Sequence, residues 1–271
     1  MFEHPEINPV IFQIYGPLQV RWYGLMYVLA ILSCIGLMLY REKNNANWSS
    51  DKIIDLAFYM ALGIVIGGRL GYMLFYAPDF ILSDPFRLFR VWEGGMSFHG
   101  GILGVGFSAW LFARRFQLHL LSVCDAIAPV IPIALGFGRL GNFINGELWG
   151  KITTVPWAMY FYHIDIYPRH PWPIYAILLE GILLGIVVWH YAKKPRSLGG
   201  NTACFLMGYG LIRIFEELFR EPDVQYGYLW GNYLTMGQVL CLPMIISALY
   251  LWFGLREKHH ATISSFTKKS H

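Results

Sequence analysis

The sequence predicts an all-α integral membrane protein of seven transmembrane helices, with residues 1–271 forming a single membrane-embedded domain. Three observations lead there. Apolar and aromatic residues make up 56% of the chain and charged residues only 14%, against about 25% charged in soluble domains. Apolar runs of the roughly 20 residues that a membrane helix needs recur along its length. The basic residues gather in alternate connections between those runs, as they do in cytoplasmic loops. The composition excludes a soluble enzyme, and a net charge of only +4 gives no reason to expect a nucleic-acid partner.

Taken in order, the runs cover roughly residues 20–40, 54–76, 95–113, 122–144, 172–192, 202–219 and 234–255. The first eighteen residues hold Glu3 and Glu6 and no lysine or arginine, unlike the start of a cleaved signal. The first run is therefore expected to stay as a spanning helix. Runs one, three, five and seven are plainly apolar. Runs two, four and six carry Arg69, Arg139 and Arg213, which lowers their hydropathy. Glu180 stands alone near the middle of run five, as a buried protonated acid or as the partner of another polar group. Cys34, Cys124, Cys204 and Cys241 lie in or beside apolar runs with no CxxC pair, which suits packing rather than a disulfide framework or zinc.

Orientation follows from charge. The connections after runs one, three, five and seven hold Arg41, Lys43, Lys52, Arg114, Arg115, Lys193, Lys194, Arg196, Arg256, Lys258, Lys268 and Lys269. The opposite connections hold Arg87, Arg90, Lys151, Arg169 and Arg220. Twelve against five places the N-terminus outside and the C-terminus in the cytoplasm. Two outer connections, Ala77–Trp92 and Trp149–Trp172, are rich in aromatic residues, the composition of segments at headgroup level.

This topology sets the polar residues at a common depth. Arg69 lies about fifteen residues into run two, Arg139 about seventeen into run four and Arg213 about eleven into run six. At a rise of about 1.5 Å per residue, all three fall in the outer half of the membrane. His99, within GGMSFHGG, and Tyr23 come early in inward-running helices, and so share that half. A charge within a bilayer is costly unless it is paired or faces a polar cavity. Tyr209, Arg213 and Glu217 share a helix face at four-residue spacing, so Glu217 can neutralise Arg213; Glu216 and Arg220 are also four apart. Arg139 has no acid within four positions; Asn142 shares its face and Glu147 lies past the helix end. Arginine with asparagine, among glycines that admit a close approach, suits a phosphate oxyanion. In a site reached from lipid, that phosphate is expected to be a phospholipid headgroup.

At this point four stretches become recognisable: RWYGLMY (Arg21–Tyr27), VWEGGMSFHGGILG (Val91–Gly104), GRLGNFINGELWG (Gly138–Gly150) and YGLIRIFEELFREPD (Tyr209–Asp223). In this order, and over nearly the whole chain, they resemble the bacterial prolipoprotein diacylglyceryl transferases; GRLGNFINGELWG is the most specific of them. The resemblance implies a multi-pass enzyme of the bacterial inner membrane, with a periplasmic N-terminus and its active site in the periplasmic half. Such an enzyme moves the diacylglyceryl group of phosphatidylglycerol to the lipobox cysteine of a prolipoprotein signal peptide, leaving a thioether and glycerol phosphate. This is the first step of lipoprotein maturation. No metal and no dissociable cofactor is implied. The catalytic residues would be His99, Arg139, Arg213 and Tyr23. Substrate contacts would come from Arg139, Asn142, Asn145, Glu147, Tyr209, Glu217 and Arg213. One motif departs: PRHPWPIYA (Pro168–Ala176) has Trp172, Pro173 and Ala176 where the family's PRHPSQLYE-like segment has serine, glutamine and glutamate. An intact reaction core with an altered entrance to run five is expected.

The chemistry makes two demands. Charge builds on the departing phosphate, and cations already in place in a dry site stabilise it best; Arg139 and Arg213 can serve without deprotonating. The incoming cysteine must be a thiolate, although lipid surroundings raise its pKa. His99 is the natural base, and a cationic field is the alternative; the residues leave both open. A transporter of an anionic lipid or solute is a rival reading, suggested by Gly-Arg-Leu-Gly at Gly68–Gly71 and again at Gly138–Gly141, but nothing else repeats at that offset. A scaffold with purely structural arginines leaves unexplained both His99 among its glycines and the excess of arginine over acid at that depth. His163, His170, His259 and His260 lack ligand spacing.

Overall fold

A computed structural model describes residues 1–16, 18–79, 83–90, 92, 94–222, 227–230 and 234–254. Val91, Glu93 and Asp223 of the motifs lie outside the described residues. So does the tail with Arg256, Lys258, His259, His260, Lys268 and Lys269.

The described chain is helical, with short strands in its connections. Strand β1 (Phe2–Glu3) is followed by the hairpin β2 (Val10–Tyr15) and β3 (Leu18–Arg21), then helices α1 (Trp22–Glu42) and α2 (Ser50–Phe75). A 3-10 turn at Pro85–Phe89 precedes α3 (Phe98–Arg115), α4 (Leu120–Ile127) and α5 (Ile131–Ile144). After β4 (Met159–Tyr160) and β5 (Pro168–Arg169) come α6 (Trp172–Tyr191) and α7 (Gly200–Glu216). Strands β6 (Tyr228–Trp230) and β7 (Leu234–Thr235) lead into α8 (Met236–Gly254).

Helices α1, α2, α6 and α8 are each long and apolar enough to cross a membrane. The pair α4 and α5 is so only when taken together, bent by 56°. The bend falls at Ala128–Val130, where Pro129 offers no N–H to continue the ladder. The chain is thus a multi-pass membrane protein with four such helices among the described residues, or five with the bent pair. Runs two and three exchange their expected ranks. Over its 26 residues α2 absorbs Arg69. In 18 residues α3 carries four glycines and ends on Arg114 and Arg115, and it falls short.

The described chain divides into two compact units. One comprises Val10–Val20 and Ile31–Val123. Here α2 and α3 pack along small residues: Gly63, Gly67 and Gly71 against Gly100 and Gly104, where a methyl group at Gly67 or Gly104 would strike the other helix's backbone. Four-residue spacing of small side chains is how membrane helices come close without a water-driven force. Ser97 caps α3, accepting the Gly100 N–H at 3.2 Å.

The other unit comprises Met1–Pro9, Arg21–Ala30 and the described residues from Cys124 onward. Strand β1 runs parallel to β4, and β4 antiparallel to β5, so the N-terminal residues close the connection between α5 and α6. Those two helices meet at Gly136 and Gly181, where a methyl group on Gly181 would lie 2.9 Å from the Gly136 Cα. From Ile177 to Leu183 α6 widens to a π-helix. The start of α7 is fixed by Asp125, whose carboxylate accepts from the Gly199 and Thr202 N–H groups and the Thr202 hydroxyl at 2.7 to 2.8 Å.

Candidate active site

The polar centre of the second unit grows from the contact of α5 and α6. Arg139 lies one turn beyond Gly136, and the close approach at Gly181 brings it to Glu180 in the π-helical turn. Its Nε donates to Glu180 Oε2 at 2.7 Å and its Nη2 to Oε1 at 3.3 Å. Glu180 is 0% exposed and also takes Arg213, whose Nε lies 3.7 Å from Oε1. Arg213 goes on to Glu216 at 3.5 Å and to a close pair with Glu217. Glu217 in turn binds Arg220 at 3.2 Å. A buried ion pair is tolerated when its partners are matched and well bonded; carboxylates alternate with guanidiniums here, while Oε1 of Glu216 and Oε2 of Glu217 have no hydrogen-bond partner among the described residues.

Trp172, the first residue of α6, lies against the network and is 0% exposed. The guanidinium carbons of Arg139, Arg213 and Arg220 lie 5.0, 5.1 and 5.4 Å from its ring centre, all within the range of about 6 Å over which a cation is attracted to an indole. Tyr209 is within electrostatic reach of Arg139, Arg213 and Glu180. Among the described residues, Nη1 of Arg139 has no hydrogen-bond partner, and the side chain is 19% exposed. Glu180 therefore orients this charge and leaves one amino group of the fork unengaged among the described residues.

The end of α5 is a second arrangement. The Nδ2 groups of Asn142 and Asn145 each donate to Glu147 at 3.0 Å, and the Glu147 N–H returns to the Asn142 carbonyl at 2.9 Å. The turn passes through Gly146 at φ +67°. His163 donates to the Gly146 carbonyl at 2.9 Å and His4 to that of Phe143 at 2.6 Å. Tyr23 packs over Gly141, where a methyl group would lie 2.8 Å from its ring. Its ring lies 5.3 Å from that of Tyr27, which is itself within electrostatic reach of Arg139.

Residues 9–254 match the family model described as prolipoprotein diacylglyceryl transferase. Among similar proteins is the phosphatidylglycerol–prolipoprotein diacylglyceryl transferase of Legionella pneumophila strain Lens, 51% identical over 94% of this chain and 100% of that protein. Its namesake in Coxiella burnetii strain RSA 331 is 48% identical over 95% of this chain and 99% of that protein. The chain belongs to the prolipoprotein diacylglyceryl transferase family.

Within this transferase-family chain, the geometry gathers some of the expected residues and separates others. Arg139, Arg213, Glu217 and Tyr209 meet in one network, and Tyr23 approaches it through Tyr27. Asn142, Asn145 and Glu147 form their own cluster on the same helix end. His99 belongs to the other compact unit, exposed in the first turn of α3. Of the glycines around it, Gly100 serves the packing of α2 on α3, and Gly94 and Gly95 turn the preceding loop at φ +77°. The sequence assigns Arg69 no role. Buried at 2% exposure, it donates through Nε and Nη2 to the Arg87 carbonyl, through Nη2 to that of Arg90, and through Nη1 to those of Gly94 and Gly95. It clamps the connection ahead of α3. The repeated Gly-Arg-Leu-Gly thus holds a loop at its first occurrence and joins a charge network at its second.

Acids answer three of the arginine charges, since Arg139, Arg213 and Arg220 face Glu180, Glu216 and Glu217, while Arg69 meets carbonyls and no acid among the described residues. The sequence reasoning left Glu180 unassigned and took Trp172 only as a departure. Depth was the available signal: in the expected topology Glu180 is about eight residues into an inward helix and Arg139 about five from the end of an outward one, a mismatch of only about 5 Å.

Outside the membrane-spanning helices, Arg169 ties the connection between α5 and α6 together. It donates to both Asp165 oxygens, the closer at 2.5 Å, to the Gly150 carbonyl at 3.1 Å and to Glu221 at 3.3 Å. The Arg169 guanidinium holds the Asp165 carboxyl below the usual carboxylate range. Burial, aided by Lys151, lowers the pKa of His170. Among the described residues no three His, Cys, Asp or Glu side chains gather as metal ligands would.

Proposed function

We propose that this chain transfers the diacylglyceryl group of phosphatidylglycerol to the lipobox cysteine thiol of a prolipoprotein. The relatives' names supply both substrates. The observation that carries the reading is Arg139, a guanidinium inside a membrane helix that Glu180 and Trp172 hold in place while Nη1 remains available to a phosphodiester oxygen. Arg213, held by Glu180, Glu216 and Glu217, is the second cation beside that oxygen.

The reaction forms a carbon–sulfur bond at the glyceryl carbon and breaks that carbon's bond to the phosphate oxygen. The electron pair leaves with glycerol phosphate, and the thiol proton passes to a base. Arg139 and Arg213 stabilise the growing phosphate charge with little reorganisation, because their carboxylate partners and the Trp172 ring already fix them. Tyr23 and Tyr209 line the same site, and Asn142, Asn145 and Glu147 meet the glycerol headgroup. His99 serves as the base or holds the peptide. No cofactor takes part, since the cations come from the chain and the nucleophile from the substrate.

We place the protein in the bacterial inner membrane as one domain over residues 1–271, with seven spans, a periplasmic N-terminus, a cytoplasmic C-terminus and a site in the periplasmic half. Counting α4 with α5 gives seven helical segments in chain order among the described residues, which supports this reading, as does the distribution of basic residues. Exposed aromatics on the outer connections, among them Phe86, Phe89, Trp92, Trp157 and Tyr167, suit an interfacial position. The test is incubation of the purified protein with phosphatidylglycerol and a lipobox peptide. Thioether peptide and glycerol phosphate are expected in equal amounts. Intact substrates, with lipid crossing a vesicle membrane, would instead favour transport.

A further inference from the structure

We propose that Trp172 is a phosphate-positioning residue of this chain, its indole N–H donating to a phosphate oxygen of the lipid while its ring fixes the arginines around that oxygen. This rests on the transferase reading. Trp172 stands where the family's segment has serine, so the fixed framework of the family does not account for it. The side chain is fully buried, and its Nε1 has no hydrogen-bond partner among the described residues. An N–H buried without a partner is destabilising, and it is tolerated where a ligand completes it. Three guanidiniums lie at 5.0, 5.1 and 5.4 Å from this one ring. An indole attracts cations over its face and carries its N–H on its edge, so a single side chain can hold the cations and supply a neutral donor beside them. A phosphodiester oxyanion is the chemistry that matches: it takes the N–H as an acceptor and the guanidiniums as counter-charge. Nη1 of Arg139 is the second donor left for the same oxyanion.

Trp172→Phe keeps a smaller aromatic face and removes the N–H with the rest of the five-membered ring; Trp172→Leu removes the aromatic face as well. Purified variants are compared with the wild type for KM toward dioleoyl phosphatidylglycerol, KM toward a lipobox peptide, kcat and melting temperature. For Trp172→Phe the lipid KM is expected to rise about tenfold, the loss of one hydrogen bond to a charged group, with peptide KM unchanged and only the fall in melting temperature that the smaller buried ring causes. Trp172→Leu is expected to lose kcat as well, by about 100-fold. A Trp172→Phe protein with wild-type lipid KM overturns the proposal. So does a parallel rise in both KM values with a lowered melting temperature, because that is what a purely structural tryptophan gives. If the wild type itself does not turn over, the transferase reading fails instead. Phosphatidylglycerol binding to wild type and Trp172→Phe, read by native mass spectrometry, then decides the role of Trp172 separately, equal binding counting against it.

Discussion

Replacing Glu180 by glutamine probes the centre of the network with a change of one atom. Glu180 is fully buried and joins Arg139 at 2.7 Å to Arg213 at 3.7 Å. A glutamine keeps the volume and one acceptor, but it turns an N–H₂ group toward a guanidinium and leaves positive charge uncompensated. Removing one member of a buried ion pair costs about 3–5 kcal/mol. The retained acceptor argues for the lower end, about 3 kcal/mol. At roughly 2–4 °C per kcal/mol for chains near this size, the melting temperature should fall by about 6–12 °C. Turnover should fall further, because both guanidiniums lose the carboxylate that aims them; a loss of about 100-fold in kcat/KM corresponds to about 2.7 kcal/mol of transition-state stabilisation. Differential scanning fluorimetry in detergent and a coupled assay for glycerol phosphate measure the two effects. Wild-type melting together with wild-type or higher turnover would refute the reasoning, because Glu180 would then merely compete with the lipid phosphate for Arg139.

Three further outcomes follow from the geometry. Gly104→Ala should lower stability by about 1–3 kcal/mol, because its methyl group would strike the Gly63 carbonyl, whereas Gly106→Ala, with nothing within 4 Å, should be close to neutral; equal melting temperatures would contradict the packing of α2 on α3. Asp165 has a folded pKa depressed by Arg169, so its pairing is fully present above the unfolded carboxylate value and is lost as pH falls through the folded one. Asp165→Asn should therefore cost about 1–2 kcal/mol at pH 7, with the gap to wild type closing below about pH 4; a gap constant from pH 3 to 7 would count against it. His99→Gln should abolish the acidic limb of the pH–rate profile and lower kcat by about 100-fold or more if His99 is the base, while a preserved profile with a modest loss leaves it a positioning role.

The sequence showed apolar runs where the long helices lie, and it suggested a phosphate site through Arg139 and Asn142, because both signals are local. The pairing of Arg213 with Glu217 was legible for the same reason, being four residues apart on one helix. The pairing of Arg139 with Glu180 was not, because it spans 41 residues and depends on Gly136 and Gly181 bringing two backbones together. Arg69 was grouped with the other arginines by depth alone. Depth does not tell whether a guanidinium meets a ligand or the carbonyls of a loop, and the four carbonyls that take Arg69 come from a connection with no regular pattern. Trp172 stood out only as a departure from a motif, since its contact with arginines on α5 and α7 depends on tertiary packing.

The proposed mechanism turns on Arg139 holding the phosphate of phosphatidylglycerol. It is tested most directly by measuring glycerol phosphate release from phosphatidylglycerol and a lipobox peptide with wild type, Arg139→Lys and Arg139→Gln. A lysine restores the charge but not the fork that binds Glu180 and a ligand at once. Robust release by the wild type, with both variants reduced by at least about 100-fold and weaker in lipid binding, is the predicted result. Wild-type release and unchanged lipid binding in Arg139→Gln would contradict it.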